Sequence, residues 1–227
     1  MSRVVIDIET VPVDWEGLEP EEQAYLLQNA RTDEEQEKVR DQLGLFPLTG
    51  RVVAIGMLNP ESGKALVLAE GIPGEGAAWA FDEGTEFWTG NEAEILERFW
   101  DVVKRYGQII TFNGRSFDGP YLMLRSLVLG VVASRNLVPN RYRLSEHLDL
   151  LDVLTLYGGI RRYSLDFLCR RLGIDSPKGQ MRGKDVAEAY RAGRMEDIAR
   201  YCLEDVRATK QLLDRAEEAL GVLVSGS

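Results

Sequence analysis

The segment Val4-Val5-Ile6-Asp7-Ile8-Glu9-Thr10 constrains this chain more than any other stretch. A β-branched run leads straight into two carboxylates separated by Ile8. Side chains alternate faces along a strand, so Asp7 and Glu9 project to one side while Ile6 and Ile8 point to the other. Two neighbouring carboxylates at the end of a buried strand repel each other and resist ionising together. A divalent cation removes that penalty, and hard cations such as Mg²⁺ take oxygen ligands. The pattern predicts half of a metal site at the edge of a central sheet. Asp-x-Glu by itself says little, because Asp14-Trp15-Glu16 and Asp33-Glu34-Glu35 also fit it. Only the first copy follows a strand-like run, and it needs partners elsewhere.

With 227 residues, 44% apolar and 28% charged, the chain has the makeup of one globular domain with a sizeable core. Residues 1–220 read as a single α/β domain and 221–227 as a flexible tail. Residues 14–43 read as an acidic helical insertion with Leu18, Tyr25, Leu26, Leu27, Val39 and Leu43 as its buried positions. A solvated cover is the ordinary role for such helices, and a partner-binding surface is the alternative. Arg51–Leu58 and Ala65–Ala69 read as strands that join the first in an antiparallel meander. Asn91 caps a helix reaching about Tyr106, and Gln108–Phe112 is a short strand. Helices follow over Asp118–Leu129, Leu151–Tyr157, Ser164–Leu172, 185–192 and 195–219, with a short edge strand at Leu148–Leu150.

Short apolar runs and the absence of a basic-then-apolar leader point to the cytoplasm and away from a membrane. Cys169 and Cys202 have neither disulfide-framework nor zinc spacing and read as reduced, structural thiols. The net charge of −10 argues against non-specific coating of nucleic acid. Its distribution is uneven, with a net of −8 over residues 1–49 and +5 over residues 134–194. Arg115, Arg161, Arg162, Lys178, Arg182 and Lys184 are candidates for phosphate contacts, with ordinary solvated surface as the alternative.

Two further motifs carry carboxylates. Asn113-Gly114-Arg115-Ser116-Phe117-Asp118 sits at a strand-to-helix turn. Asp118 at a helix start is favoured in its ionised form, although capping is the commoner use of such a residue. Tyr201-Cys202-Leu203-Glu204-Asp205 lies within the last long helix, where a spacing of four puts Tyr201 and Asp205 on one face.

Taken in order, Asp7-x-Glu9, Asn113-x₃-Phe117-Asp118 and Tyr201-x₃-Asp205 resemble the three motifs of the Asp-Glu-Asp-Asp 3′–5′ exonucleases. The tyrosine resembles the branch that includes the proofreading domains of family B DNA polymerases. Gly50–Gly56, His147–Asp152, Tyr163–Leu168 and Gly183–Val186 share the look of stand-alone members of that group. The resemblance implies an RNase H-like fold, a five-stranded mixed sheet with helices on both faces. It implies two Mg²⁺ or Mn²⁺ ions, with Asp7 bridging them, Glu9 and Asp205 completing the first site and Asp118 holding the second. Tyr201 would orient the attacking water. Thr10, Asn113 and Phe117, together with Arg115, Lys178 and Lys184, would contact substrate. The histidine branch of the family does not fit, since Arg200 stands at the corresponding position and His147 is the only histidine.

The implied activity is metal-dependent hydrolysis of phosphodiester bonds at the 3′ ends of single-stranded nucleic acid. DNA is favoured over RNA, and nucleoside 5′-monophosphates are the product. Two alternatives stand beside it. An inert nucleic-acid-binding or polymerase-accessory module on the same fold would betray itself by loss of a metal carboxylate, and all four are present. An RNase H-like endonuclease or integrase shares the acidic cluster but has no need of Tyr201. His147 beside Asp149 reads as a structural hydrogen-bonding group, with substrate contact as the alternative.

Overall fold

The computed structural model describes residues 2–72, 79, 82–174 and 181–224. Six strands form one mixed sheet in the order β4-β3-β2-β1-β5-β6. β1 (Arg3–Pro12), β2 (Gly50–Leu58) and β3 (Ala65–Glu70) make the antiparallel meander. β5 (Gln108–Thr111) runs parallel to β1, and β6 (His147–Asp149) parallel to β5 at the edge. The sheet has one strand more than the resemblance implies. β4 (Thr85–Gly90) pairs parallel with β3 at the opposite edge. Thr85, Phe87 and Trp88 lie only partly buried and Glu86 is exposed, so no continuous apolar run marks it in the sequence.

Alternation along β1 sorts its side chains into two cores. Val4, Ile6 and Ile8 pack with α3 (Glu92–Val103) and α4 (Asp118–Leu129) on one face. Val5 and Val11 face α5 (Leu150–Leu154), α7 (Val186–Arg191) and α8 (Met195–Val224) on the other. Asp7 and Glu9 share the parity of Val5, so they point toward α8. Local chemistry fixes the helix starts. Asn91 forms a capping box with Glu94, and Ser164 accepts from the Phe167 N–H at the start of α6 (Leu165–Leu172). Gly173 closes α6 at φ 68°, a left-handed stop that glycine adopts at little cost.

The insertion forms α1 (Pro20–Leu27) and α2 (Asp33–Gln42), and neither helix buries a residue. Of the six expected buried positions only Leu43 is buried, and Tyr25 is 69% exposed. Helices this rich in glutamate hold their shape through caps and solvation, with few apolar positions left to bury. α8 also runs further than expected. After a break at Leu220 it continues to Val224, whose side chain is buried, so residues 221–224 of the expected tail belong to α8, while residues 225–227 lie outside the described residues. No helix among the described residues is long and apolar enough to cross a membrane.

One buried ion pair ties the α3–α4 layer to the sheet. Arg125 donates to both oxygens of Glu92, at 2.8 and 2.7 Å, and to the Pro47 carbonyl at 3.1 Å. Glu92 in turn accepts the Val52 N–H at 2.8 Å, at the start of β2. Every oxygen and donor in this cluster therefore has a partner that burial would otherwise deny it.

Candidate active site

The site forms where β1 outruns its parallel neighbour. Pairing with β5 ends at Val5–Ile110, while pairing with β2 continues and shifts register between Glu9 and Thr10. Such a bulge re-aims the side chains beside it. Beyond the end of β5 the Ile8 N–H donates to Asp118 Oδ1 at 3.1 Å. Asp118 is thereby fixed at the N-terminus of α4, 3% exposed, against the strand that bears Asp7 and Glu9.

α8 closes the other side. Gly56 of β2 pairs with Asp7, and a Cβ built there would lie 3.0 Å from the Cys202 carbonyl and 3.1 Å from its Sγ. Its missing side chain lets α8 settle onto the sheet, a use that an isolated glycine inside a strand pattern foreshadows. The Cys202 thiol donates to the Asp7 carbonyl at 3.6 Å. Its Sγ and carboxylate oxygens of Asp7 and Glu9 lie within 4.8 Å of one another. Sequence reading treats Cys202 as plain core and misses this adjacency. Burial and the carboxylates push the thiol well up, so it stays neutral. Cys169, the other free cysteine, is also buried, and burial followed by the charge of Asp205 raises its thiol to about 11.

Tyr201 and Asp205 complete the cluster. Burial holds Asp7 far above the ordinary carboxylate range, helped by Asp118, Asp205 and Glu9. Glu9, 6% exposed, is raised for the same reason, with Asp205 and Asp118 as its charged neighbours. Burial lifts Asp118 to about 7, with Asp149 and Asp205 adding to the rise and its own and Ile8 N–H groups opposing it. Burial likewise lifts Asp205 to about 7, against a contact with the Tyr201 hydroxyl that pulls it down. The Tyr201 phenol is driven far up by burial, then by Asp205, Glu9 and Asp7. These five residues, from three distant stretches of sequence, sense one another's charge. Without a cation they resist ionising together.

Edge strand β6 holds the turn that precedes Asp118. Asp149 Oδ1 accepts the Asn113 and Leu151 N–H groups at 2.9 and 3.0 Å, and Oδ2 accepts the Arg115 N–H at 2.9 Å. His147 is 1% exposed, with Nδ1 2.8 Å from the Leu137 carbonyl and Nε2 2.8 Å from Thr111 Oγ1. A carbonyl only accepts, so Nδ1 carries the proton and Nε2 accepts from the threonine. Thr111 Oγ1 also takes the Gly114 N–H at 3.2 Å. His147 is thus a structural link that steadies the turn.

The remaining expected contacts divide. Thr10 donates to the Gly44 carbonyl at 2.8 Å, and Phe117 packs on Tyr121 with ring centres 5.4 Å apart. Both line a cleft of about 600 Å³ beside Glu9, which Leu45 and Arg191 also line. Asn113, at φ 70°, accepts from Arg162 at 2.5 Å. Arg115 departs from the phosphate expectation. Its guanidinium turns inward, donating to the Pro139 and His147 carbonyls at 2.5 and 2.9 Å, and it is 9% exposed. Burial outweighs its surface-like sequence context, because the turn has carbonyls that need a donor. Arg161 lies over the Tyr163 ring and Arg182 pairs with Asp185. Lys178 and the side chain of Lys184 lie outside the described residues. Leu45 and Arg191 carry no motif in the sequence, and only the fold brings them to the cleft.

Residues 51–224 match the family described as "Predicted 3'-5' exonuclease related to the exonuclease domain of PolB". The match covers about three quarters of the chain and starts after β1, leaving Asp7 and Glu9 outside it. The chain is 30% identical over 138 residues to a DNA polymerase of Pyrococcus glycovorans, covering 54% of this chain and 18% of that one. A DNA polymerase of Thermococcus gorgonarius is 30% identical over 137 residues, covering 53% and 18%. The chain thus spans under a fifth of the length of these relatives. The family B DNA polymerase of Pyrobaculum calidifontis superposes with a TM-score of 0.60 at 20% identity, covering 95% of this chain and 24% of that one. At that identity the likeness speaks for the fold alone, an RNase H-like α/β architecture carried here on six strands. Motif order, fold and family match agree: the chain belongs to the predicted 3′–5′ exonucleases related to the exonuclease domain of PolB.

Proposed function

We propose that this chain is an active, metal-dependent 3′–5′ exonuclease that trims single-stranded nucleic acid, DNA in preference to RNA, to nucleoside 5′-monophosphates. One observation carries the reading: Asp7, Glu9, Asp118 and Asp205 share one cluster and each carboxyl is raised by its surroundings. Oxygen donors without a lysine or arginine partner among the described residues of the cluster suit a hard divalent cation, Mg²⁺ or Mn²⁺. Asp7, Glu9 and Asp205 would hold one ion, and Asp7 with Asp118 a second. When bound, such a pair stabilises the attacking and departing oxygens of an in-line displacement at phosphorus.

The chain's own residues do the rest. Tyr201 keeps its proton at any workable pH, so it donates a hydrogen bond and orients the water without acting as a base. Thr10, Phe117 and the cleft beside Glu9 offer room for a terminal nucleotide freed from its pair. Unpairing costs a few kcal/mol in a duplex and little in a single strand, which favours frayed ends. An inert module on this fold would have no reason to keep four carboxylates that repel one another.

The test uses 5′-labelled single- and double-stranded DNA and RNA oligonucleotides with Mg²⁺ or Mn²⁺, resolved on a gel. A ladder shortening from the 3′ end, faster on single strands and abolished by chelator, is expected. Cutting of a circular single strand, or full activity in chelator, would overturn the reading.

A further inference from the structure

The cleft beside Glu9 has a wall that none of the three motifs supplies. Among its described lining residues Arg191, the last residue of α7, is the one basic side chain. A second cleft of about 450 Å³ adjoins it and shares Pro12, Asp41, Ala187 and Arg191. Arg191 therefore stands where the two clefts meet. It is exposed, and it forms no ion pair or hydrogen bond among the described residues, although Asp41 and Glu188 line the same cleft. Arg115 and Arg162, by contrast, are both engaged within the protein.

Leu45 lines the same cleft, 53% exposed. Its place is fixed from behind. The Gly44 carbonyl accepts from Thr10 Oγ1 at 2.8 Å and from the Tyr121 hydroxyl at 3.0 Å. A Cβ on Gly44 would lie 2.9 Å from the Pro12 nitrogen, so this close approach requires glycine. The insertion thus returns to β1 at a pinned point and presents an apolar side chain to the cleft. A free guanidinium and a fixed apolar shelf beside a carboxylate floor match the two halves of a nucleotide. Guanidinium binds phosphate through paired charge-assisted hydrogen bonds, and a base buries its face on apolar surface.

Building on the nuclease reading above, we infer that Arg191 holds a backbone phosphate of the strand entering this cleft, with Leu45 as the surface beneath its base. Binding of a fluorescein-labelled thymidine oligonucleotide is followed by anisotropy in an Asp7→Asn background with Mg²⁺, across a series of salt concentrations. Loss of one single-strand phosphate contact lowers the slope of log K against log salt by about 0.7. Arg191→Ala is expected to show that drop with roughly five- to tenfold weaker binding. Arg191→Lys should restore the slope but only part of the affinity, since a lysine binds phosphate as a point charge. Leu45→Ala should weaken binding with the slope unchanged. In the Asp7 protein, Arg191→Ala should raise KM for the oligonucleotide with kcat nearly kept, a split that mere loss of folding would not give. An unchanged slope and KM in Arg191→Ala, in protein that still digests single strands, overturns this inference alone. If protein with no substitution neither binds nor digests them, the inference falls together with the reading beneath it.

Discussion

Asp118 takes the place of a strand partner for Ile8. Its Oδ1 accepts the Ile8 N–H at 3.1 Å just where β5 has parted from β1. The hydrogen bond satisfies a buried backbone donor and locks a carboxylate beside Asp7 with the same contact. The fold and the site therefore share this residue, and substitution can separate the two roles.

Asp118→Asn keeps an oxygen able to accept from Ile8 but removes the charge. The variant should fold with an unchanged circular dichroism spectrum and lose at least roughly 100-fold in cleavage rate, the scale of removing a preorganised charge from a reacting centre. Asp118→Ala removes both and should also lower the melting temperature. Asp118→Asn with full activity would show that this carboxylate has no part in the chemistry.

Without metal, the crowded carboxylates make stability depend on pH. Asp118 and Asp205 sit at about 7 in the folded chain, against an ordinary value of 3.8. A carboxyl raised on folding contributes stability that is complete below its unfolded value and disappears as pH rises through the folded one. His147 works in the opposite direction. Burial lowers it from 6.5 to about 4, so its contribution is complete above 6.5 and is lost as pH falls toward 4. Between about pH 6.5 and 8 the carboxylates dominate. The melting temperature in chelator should fall across that window, and Mg²⁺ should reverse most of the fall. A flat or rising profile in chelator would contradict the crowding.

The buried pair Arg125–Glu92 gives a prediction about stability alone. Its oxygens and donors also serve Val52 and Pro47, away from the carboxylate cluster. Arg125→Ala leaves Glu92 buried and short of its cation, a loss of about 3–5 kcal/mol. The double variant Arg125→Met, Glu92→Leu should cost less than that single change, because no charge remains stranded. Urea midpoints of the two variants decide it, and a single variant within about 1 kcal/mol of the unsubstituted protein would refute the account.

Legibility in the sequence followed the range of the forces involved. β1, the Asn91 and Ser164 caps, the Asp118 helix start and the Gly173 stop are set by neighbours within a few residues, and the pattern shows them. The order of the three motifs pointed to one site, and the fold brings Asp7, Glu9, Asp118, Tyr201 and Asp205 within reach of one another's charge. What depends on distant chain stayed hidden. Glu92 and Arg125 look like helix surface until α3 and α4 are stacked. Arg115 looks like a phosphate ligand until the Pro139 and His147 carbonyls surround it. β4 needs the edge of β3 to become a strand, and Arg191 reaches the cleft only through the placement of α7.

Tyr201 and Asp205 lie one turn apart on α8 yet should answer differently to substitution. Burial and three neighbouring carboxylates keep the phenol protonated, so its contribution is a hydrogen bond. Such a bond to a charged or reacting group is worth about 1.5–3 kcal/mol, or roughly 10- to 150-fold in rate. Tyr201→Phe keeps the ring among its apolar neighbours and should leave measurable cleavage, with its pH profile unchanged in shape because no titrating base has been lost. Asp205→Ala removes a proposed metal ligand as well as the phenol's partner, and should leave almost none. Initial rates on a 5′-labelled single strand, with Mg²⁺ varied, separate the two. Tyr201→Phe should respond to Mg²⁺ as the unsubstituted protein does, whereas Asp205→Asn should need far more. Equal and complete loss in both would mean that the tyrosine takes part in proton transfer.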